Sequence, residues 1–339
     1  MREKLMFGSV YNDYYVKNKK NMQELRTEEE IIALWQGDIK KPKVSIKCIT
    51  YNHEKYIEDA LEGFLIQETD FPFEICIHDD ASTDKTADII RKYEKAYPRI
   101  FKTIYQVENQ YSQGNSPGHI VNKICKGEYI AVCEGDDYWV DPKKLRIQVQ
   151  YLDAHPEIVI SSFDAIIIDE QGRMVSKSKL PDVHKRDYAP EELIQGKAWL
   201  LTLNWMHKNI DVGGIPERHN VLNGDTFLTS LLGQHGGSHH HTDIQSSVYR
   251  MHKGGIWSSL DKINKIDAQL NTYFWMYSYY KRIGKEKYAQ EYLKKYRQKF
   301  ADRFTFFEVL GIFLWVIKKN ARKLLGDSLY GKLKKIVGR

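Results

Sequence analysis

The chain has 339 residues, of which 42% are hydrophobic and 12% aromatic, so it can bury one large or two modest cores and is not expected to be disordered throughout. Its net charge of +6 is concentrated in residues 318–339, whereas the remainder is close to neutral. The neutral body argues against a nucleic-acid-binding protein, and the basic end suits an anionic surface such as a membrane, or a solvated helix.

Cysteine usage and the N-terminal sequence indicate the cellular compartment. The four cysteines form no CxxC pair, and three of them fall in apolar segments, as expected of reduced core residues. The first 20 residues are polar, unlike a secretory signal, and no apolar run reaches the roughly 18 residues of a membrane span. We therefore expect a cytoplasmic protein, with peripheral contact at the inner face of the cytoplasmic membrane left open.

Residues 1–42 are predicted to form a helical lead-in, because Thr27 to Glu30 is a capping box followed by an apolar face. Residues 43–168 then alternate between apolar β-branched runs and amphipathic segments. This alternation predicts strands at 44–50, 73–78, 101–107, 129–133 and 158–168, and helices at 54–67, 84–97, 120–125 and 142–155. It is typical of an α/β fold whose mostly parallel sheet is flanked by helices.

The rest of the chain is less regular. Residues 169–260 are rich in Gly and His and are predicted to shape a substrate site. Their histidine run 239–241 is predicted to be a polar loop, because adjacent histidines do not easily converge on one zinc ion. Residues 261–339 are predicted to form a helical, basic C-terminal extension. Their apolar stretch 304–317 is too short to span a bilayer, and either lies in the membrane interface or packs on the domain.

Three acids follow the strand predicted at 129–133. Glu134, Asp136 and Asp137 surround a glycine at the C-terminal end of that strand, where ligands bind in open α/β sheets. Adjacent carboxylates repel each other unless a cation neutralises them. The pattern therefore predicts Mg²⁺ or Mn²⁺ bound through carboxylates and substrate phosphates. The alternative is a surface turn that caps the next helix.

Two further polar loops leave strand ends that a parallel sheet brings to the same edge, TYNH at 50–53 and DDASTD at 79–84. The last three residues of the second loop could cap the following helix. That role leaves Asp79 and Asp80 unexplained, and their carboxylates could accept hydrogen bonds from a base or a ribose. The sequence contains no Gly-rich phosphate loop, so a diphosphate would have to be bound by metal and side chains.

Three ordered segments resemble the family-2 glycosyltransferases of the GT-A fold. They are VSIKCITYN at 44–52, IHDDASTDKT at 77–86 and KGEYIAVCEGDDYW at 126–139, and the similarity is strong over 43–155 and looser to about residue 260. The resemblance implies a Rossmann-like domain, a nucleoside-diphosphate sugar donor, a divalent metal (Mn²⁺ or Mg²⁺) and inversion at the anomeric carbon.

The resemblance also implies roles for residues at the strand ends. The nucleotide pocket would be lined by Thr50, Tyr51 and Asn52, and the base or ribose contacted by Asp79 and Asp80. The family's DxD-type motif begins with Glu134 here instead of the commoner Asp. Asp136 and Asp137 are therefore the candidates for binding the metal and the ribose, in either order.

Two downstream segments complete the implied site. An inverting transfer needs a base on the acceptor side, and Asp225 in NGDTFL at 223–228 is the candidate, with a helix N-cap as the alternative role. The segment 249–257 resembles the one that closes the active site in this subgroup. There Arg250, His252 and Lys253 would offer positive charge or hydrogen bonds to the leaving diphosphate, and His252 would alternatively be a metal ligand or a structural histidine.

These observations favour an inverting, metal-dependent glycosyltransferase of the hexosyl- or N-acetylhexosaminyl-transferase class. It would move a sugar from a nucleoside-diphosphate sugar to a hydroxyl of a surface glycan or lipid-linked acceptor. Residues 43–168 would form the nucleotide-sugar-binding half of the domain and residues 169–260 its acceptor-binding and catalytic half. One alternative is an inactive nucleotide-sugar or glycan-binding module. The other is a sugar nucleotidyltransferase, but that class carries a Gly-rich loop near the first strand, and residues 50–53 do not form one.

Overall fold

The computed structural model of the protein describes residues 25–255, 260–313 and 315–316. The chain divides into two compact units, Met1–Ser259 and Leu260–Arg339. The predicted lead-in lies largely in residues 1–24, outside the described residues, although its capping box at Thr27 is present and begins helix α1. The basic residues 318–339 also lie outside the described part.

The first unit contains alternating strands and helices. Its strands are β1 Val44–Thr50, β2 Phe73–Asp79, β3 Phe101–Tyr105, β4 Tyr129–Val132, β5 Ile158–Ser162, β6 Ala165–Asp169, β7 Met174–Ser176, β8 Met206–Lys208, β9 Gly237–His240 and β10 Ser247–Met251. Its helices are α1 Glu28–Ile32, α2 Ile57–Leu65, α3 Thr86–Ala96, α4 Pro117–Asn122, α5 Lys144–Ala154, α6 Pro190–Ile194 and α7 Gly224–Leu232, with 3₁₀ turns at Asp182–His184, Thr202–Asn204 and Pro216–Asn220.

Within residues 25–255 the large sheet has seven strands in the order β3-β2-β1-β4-β8-β5-β9. Strands β1 to β4 pair in parallel, β8 enters antiparallel between β4 and β5, and β9 pairs in parallel with β5. A smaller sheet has the order β10-β6-β7. This arrangement confirms the predicted mixed α/β fold with a mostly parallel sheet flanked by helices.

Two local predictions are wrong. Residues 158–168 are not one strand, because β5 joins the large sheet and β6 joins the small one. The chain breaks at Asp164, whose Oδ1 accepts the amides of Ala165, Lys179 and Leu180 and so fixes a turn. The histidine run at 239–241, predicted to be a loop, lies mostly in β9. This strand pairs in parallel with β5 at the edge of the large sheet.

The core fixes the loop of residues 134–137 that follows β4, here called the acidic loop. Trp139 is fully buried, and its indole N–H donates to the Leu203 carbonyl at 2.7 Å. Phe64 of α2 packs edge-on against it, with ring centroids 5.0 Å apart. Gly63 allows this approach, because a Cβ there would lie 2.7 Å from the Trp139 carbonyl oxygen. Burying two such aromatic rings contributes about 3–6 kcal/mol, which anchors the acidic loop.

The second unit is helical, as predicted for the C-terminal region. Helices α8, Lys262–Arg282, and α9, Glu286–Arg303, form a hairpin around Gly284, whose φ is +72°. Residues 306–313 are also helical, and large apolar side chains there, such as Phe306 and Phe307, are exposed. Among the helices of the described ranges, none combines the length and hydropathy needed to cross a bilayer.

Candidate active site

The parallel strands bring the three polar loops to one edge of the large sheet. Thr50, the last residue of β1, lies opposite Asp79, the last residue of β2. Beyond β4 the ladder continues, because the Gly135 amide donates to the Ile49 carbonyl at 3.0 Å. Gly135 is needed at this position, since a Cβ would lie 2.8 Å from Thr50 Oγ1. The acidic loop is therefore held directly beside the end of β1.

One residue from each of three separate segments forms a compact group of possible metal ligands. His252 Nε2, after β10, lies 2.8 Å from Asp136 Oδ2, and His53 Nε2, after β1, lies 3.9 Å from the same oxygen. One ligand atom from each residue lies within 4.8 Å of the other two. We call these three residues, His53, Asp136 and His252, the triad.

Electrostatics keep the triad in a form that can bind a cation. Burial lowers the pKa of His53, so that its imidazole is neutral near pH 7. Burial opposes ionisation of Asp136, but the hydrogen bond that it accepts from His252 is the largest of the effects that outweigh burial and lower the pKa of Asp136. A neutral imidazole and an ionised carboxylate are the forms in which these groups bind metal ions.

Arg250 hydrogen-bonds both the acidic loop and helix α2. Its guanidinium is 6% exposed, donates to Asp59 Oδ2 at 2.8 Å and to the Asp136 carbonyl at 3.2 Å, and lies over the Tyr56 ring at 4.8 Å. Its backbone N–H donates to Asp137 Oδ1 at 2.8 Å. The structure therefore places Arg250 between the loop and helix α2.

The two other acids of the loop occupy different surroundings. Asp137 is buried and outside the triad, and burial together with the charges of Asp136 and Glu134 raises its pKa well above the usual range. Glu134 is half-buried, and burial followed by the charge of Asp136 raises its pKa to about 7. The charge of Asp225 makes a smaller contribution to the raised pKa of Glu134.

Asp225 lies in the first turn of α7 and is not its N-cap, which is Asn223. The suggested capping role is therefore wrong. Asp225 is exposed to solvent, while the protein atoms around it displace enough water to raise its pKa. Its Oδ1 accepts the Thr226 amide at 2.7 Å, which fixes the carboxylate at the start of the helix.

The acids predicted to meet the nucleotide also build their own loops. Asp79 Oδ1 accepts the Ser82 hydroxyl at 2.5 Å. Asp80 accepts the amides of Gln110 and Tyr111 at 2.8 and 3.0 Å and so closes the loop after β3. Both carboxylates are 2% exposed, and each oxygen retains a further lone pair.

The first loop is open to solvent. Asn52 has a φ of +56°, and its side chain accepts the Thr83 amide at 2.8 Å, which joins the first loop to the second. Tyr51 is 44% exposed, and the Thr50 hydroxyl is buried without a hydrogen-bond partner in the described part of the chain. Lys253 is exposed, and its amide donates to Glu170 at 2.9 Å.

Two basic side chains lie near each other, Lys47 of β1 and Arg218 of the 3₁₀ turn Pro216–Asn220. Lys47 is 8% exposed, and its ammonium donates to Asn122 Oδ1 at 3.2 Å. Arg218 donates to the Val212 carbonyl at 3.2 Å, and burial lowers its pKa to about 10. Burial lowers the pKa of Lys47, while the charge of Glu134 raises it and the charge of Arg218 lowers it further.

Two features of the site are not predicted from the sequence. The motif at 50–53 gives His53 no role of its own, although histidine is a common metal ligand. The Asp59–Arg250 pair joins residues 191 positions apart, and no local pattern indicates it.

Comparison with known proteins gives a consistent assignment. The model of glycosyl transferase family 2 matches residues 45–200. An uncharacterized protein of Mycobacterium tuberculosis is 38% identical over 218 residues, which are 64% of this chain and 61% of that protein. The poly(ribitol-phosphate) beta-N-acetylglucosaminyltransferase TarS of Staphylococcus aureus is 28% identical over 165 residues, which are 48% of this chain and 26% of TarS.

A solved structure shows the same fold. The crystal structure of S. aureus TarS 1–349 superposes with a TM-score of 0.52 at 18% identity, covering 74% of this chain and 70% of that one. Its complex with UDP-GlcNAc gives a TM-score of 0.51 at 19% identity, covering 69% and 66%. The chain spans less than two thirds of the length of the two curated relatives named above.

Proposed function

The chain belongs to glycosyl transferase family 2 through residues 45–200, and from this premise we propose that it is an inverting, metal-dependent glycosyltransferase. It would move a sugar from a nucleoside-diphosphate sugar to a hydroxyl of a glycan or lipid-linked acceptor. The observation that carries the proposal is the triad at the edge where three strand-end loops meet, with the charge of Asp225 acting on the same loop.

The donor nucleotide would lie across the ends of β1 and β2. Exposed Tyr51 offers a ring on which a base can stack, and the unpaired Thr50 hydroxyl offers a hydrogen bond. Asn52, Asp79 and Asp80 would shape this pocket through the loops that they join. The crystallisation of TarS with UDP-GlcNAc supports a nucleotide sugar as the donor.

Mn²⁺ or Mg²⁺ would be held by Asp136 and His252, with buried Asp137 supporting the loop. When bound, such an ion supplies positive charge that stabilises the departing diphosphate. The oxygen and nitrogen donors of these residues fit a divalent ion. Exposed Lys253 would add a mobile positive charge near the diphosphate, whereas Arg250 would act by holding the loop.

Asp225 would act as the base. It would take the proton from the acceptor hydroxyl as that oxygen attacks the anomeric carbon, while the bond from this carbon to the diphosphate oxygen breaks. Attack on the face opposite the leaving group inverts the configuration. A raised pKa suits Asp225 to this role, because a carboxylate with a higher proton affinity is a stronger base.

Two basic side chains, Lys47 and Arg218, favour an acceptor that carries anionic groups. The charges of Arg218 and of Glu134 in the acidic loop both act on Lys47, and the described part of the chain gives Arg218 no ion pair. A polymer with phosphate or carboxylate groups would supply the missing counter-charge, and the poly(ribitol-phosphate) acceptor named for TarS is of this kind. The exposed apolar residues of 306–313 and the basic residues 318–339 would suit peripheral contact with a membrane that holds such an acceptor.

The decisive experiment replaces the base. Wild-type protein incubated with nucleotide sugars, Mn²⁺ and an anionic glycan acceptor should release nucleoside diphosphate, and Asp225→Asn should lower the rate about 10²–10⁴-fold. Donor affinity, measured by calorimetry, should be unchanged. Asp88→Asn alters an exposed acid in the first turn of α3 and serves as the matched control. Equal transfer rates for wild type and Asp225→Asn would favour a different base, whereas no transfer by either protein with donor binding intact would favour a binding module.

A further inference from the structure

We infer that His53 is a third metal ligand, and that the two histidines and one carboxylate of the triad select a first-row transition ion such as Mn²⁺ over Mg²⁺. The inference rests on the proposed function only in that the ion serves the donor diphosphate. The motif at 44–52 does not indicate His53 as a ligand. The proposed function also leaves the choice between Mn²⁺ and Mg²⁺ open, and this inference decides it.

The geometry turns both imidazoles towards one oxygen. The Nε2 atoms of His53 and His252 lie 3.9 and 2.8 Å from Asp136 Oδ2. The two rings are nearly perpendicular, at 87°, with centroids 5.9 Å apart, so they do not stack on each other. The common target of the two nitrogens is therefore the carboxylate side, where a cation would lie.

The backbone and packing fix His53 in this position. Its amide donates to Thr86 Oγ1 at 2.7 Å, at the start of α3. The Tyr56 ring lies 6.3 Å from the His53 ring and 4.9 Å from the His252 ring. Such a supported side chain loses little further freedom when it binds an ion.

A purely structural role does not explain the His53 ring. Its side chain is 13% exposed, and Nδ1 is buried without a hydrogen-bond partner. Nε2 is 3.9 Å from Asp136, which is too long for a hydrogen bond. Within the described ranges, no hydrogen bond orients the ring through either nitrogen. Coordination through Nε2 would fix the ring orientation, with the proton held on Nδ1.

The ligand chemistry determines the preference. Mg²⁺ prefers oxygen ligands in a near-ideal octahedron and retains several waters. Imidazole nitrogen binds first-row transition ions better, in the order of affinity that rises from Mn²⁺ towards Cu²⁺. A site with two nitrogens and one carboxylate oxygen therefore favours Mn²⁺ over Mg²⁺, while a site without His53 would lose much of that preference.

Pulsed electron paramagnetic resonance of Mn²⁺ bound to the full chain tests this directly, with UDP or GDP present and absent. Wild type should show nitrogen couplings from two imidazoles, and His53→Gln should show one and bind Mn²⁺ about tenfold or more weakly. The ratio of Mn²⁺ to Mg²⁺ affinity should fall in the same variant. His155→Gln, at a half-exposed histidine outside the triad, is the control and should match wild type.

Three results would overturn the inference: a single imidazole coupling in wild type, an unchanged spectrum in His53→Gln, or no Mn²⁺ binding in any nucleotide state. His53→Ala, with its fold checked by circular dichroism, provides a second variant if His53→Gln unfolds. Sugar transfer is assayed separately. Transfer with an unaltered metal spectrum in His53→Gln contradicts the inference alone, whereas two imidazole couplings without transfer contradict the proposed function alone.

Discussion

Replacing Arg250 by Met should destabilise the protein and loosen the acidic loop. The Arg250 and Asp59 side chains are 6% and 15% exposed, and the guanidinium lies 2.8 Å from the carboxylate. Met retains the apolar bulk of the stem, so the variant chiefly removes the charge and its hydrogen bonds. Asp59 is then left as a nearly buried carboxylate without its guanidinium, and the Asp136 carbonyl loses a donor.

The size of the effect follows from burial. Removing one partner of a buried ion pair costs about 3–5 kcal/mol. Asp59 keeps some access to water, so we expect the lower end, about 3 kcal/mol. With a denaturant slope of about 3 kcal/mol per molar urea, the unfolding midpoint should fall by about 1 M. Asp59→Asn in the Arg250→Met background removes the carboxylate that has lost the guanidinium. The double variant should therefore cost about 1–2 kcal/mol less than the sum of the two single variants, as expected of directly bonded residues.

Urea unfolding of wild type, both single variants and the double variant measures this coupling. Arg173→Met is the matched control, because Arg173 also pairs with an aspartate at 2.7 Å but is 70% exposed. It should cost less than about 1 kcal/mol. A cost of this small size for Arg250→Met, or a coupling near zero in the cycle, would refute the view that Arg250 clamps the loop.

Three further changes have defined outcomes. Gly127→Ala should cost about 1–3 kcal/mol in urea unfolding, because its Cβ would lie 2.3 Å from the Ser45 amide nitrogen, whereas Gly214→Ala meets open space and should be neutral. Burial lowers the pKa of Lys144 to about 7. Between about pH 7 and 10 the unfolded chain then binds more protons at this site than the folded chain, so the stability of the wild type rises with pH. Lys144→Met lacks this titration, and its stability relative to wild type should therefore fall over that range. A pH-independent difference would show that the folded amine stays protonated. Asp136→Asn should weaken Mn²⁺ binding about tenfold or more in calorimetry, and unchanged affinity would exclude Asp136 as a ligand.

The strands and helices of residues 43–155 could be predicted because each carries its own local signal. Strand β1 and the run 129–133 are apolar and β-branched, and the helices between them are amphipathic. Strand β8 was not predicted, because three residues are too few to show a strand pattern. They form a strand by pairing with β4 on one side and β5 on the other. The break at Asp164 depends on amides up to 16 residues away, so a continuous apolar run was misread as one strand.

The same distinction applies to the site. The meeting of the three loops follows from parallel pairing, which the strand–helix alternation implies. The position of the His53 ring, and the contact of Arg250 with Asp59, depend on how residues far apart in sequence pack. Local sequence therefore indicated the acids and His252 as candidates, but not the residues that complete and support their group.

Sugar transfer measured with and without metal tests the central claim most directly. The full chain is incubated with a panel of nucleotide sugars and an anionic glycan acceptor, first with Mn²⁺, then after chelation, and finally as Asp136→Asn. We expect a product whose anomeric configuration is inverted by NMR, formed by wild type with Mn²⁺ and reduced at least about tenfold in the other two cases. Transfer at an equal rate in all three, or none from any donor by folded protein that binds Mn²⁺, would contradict it.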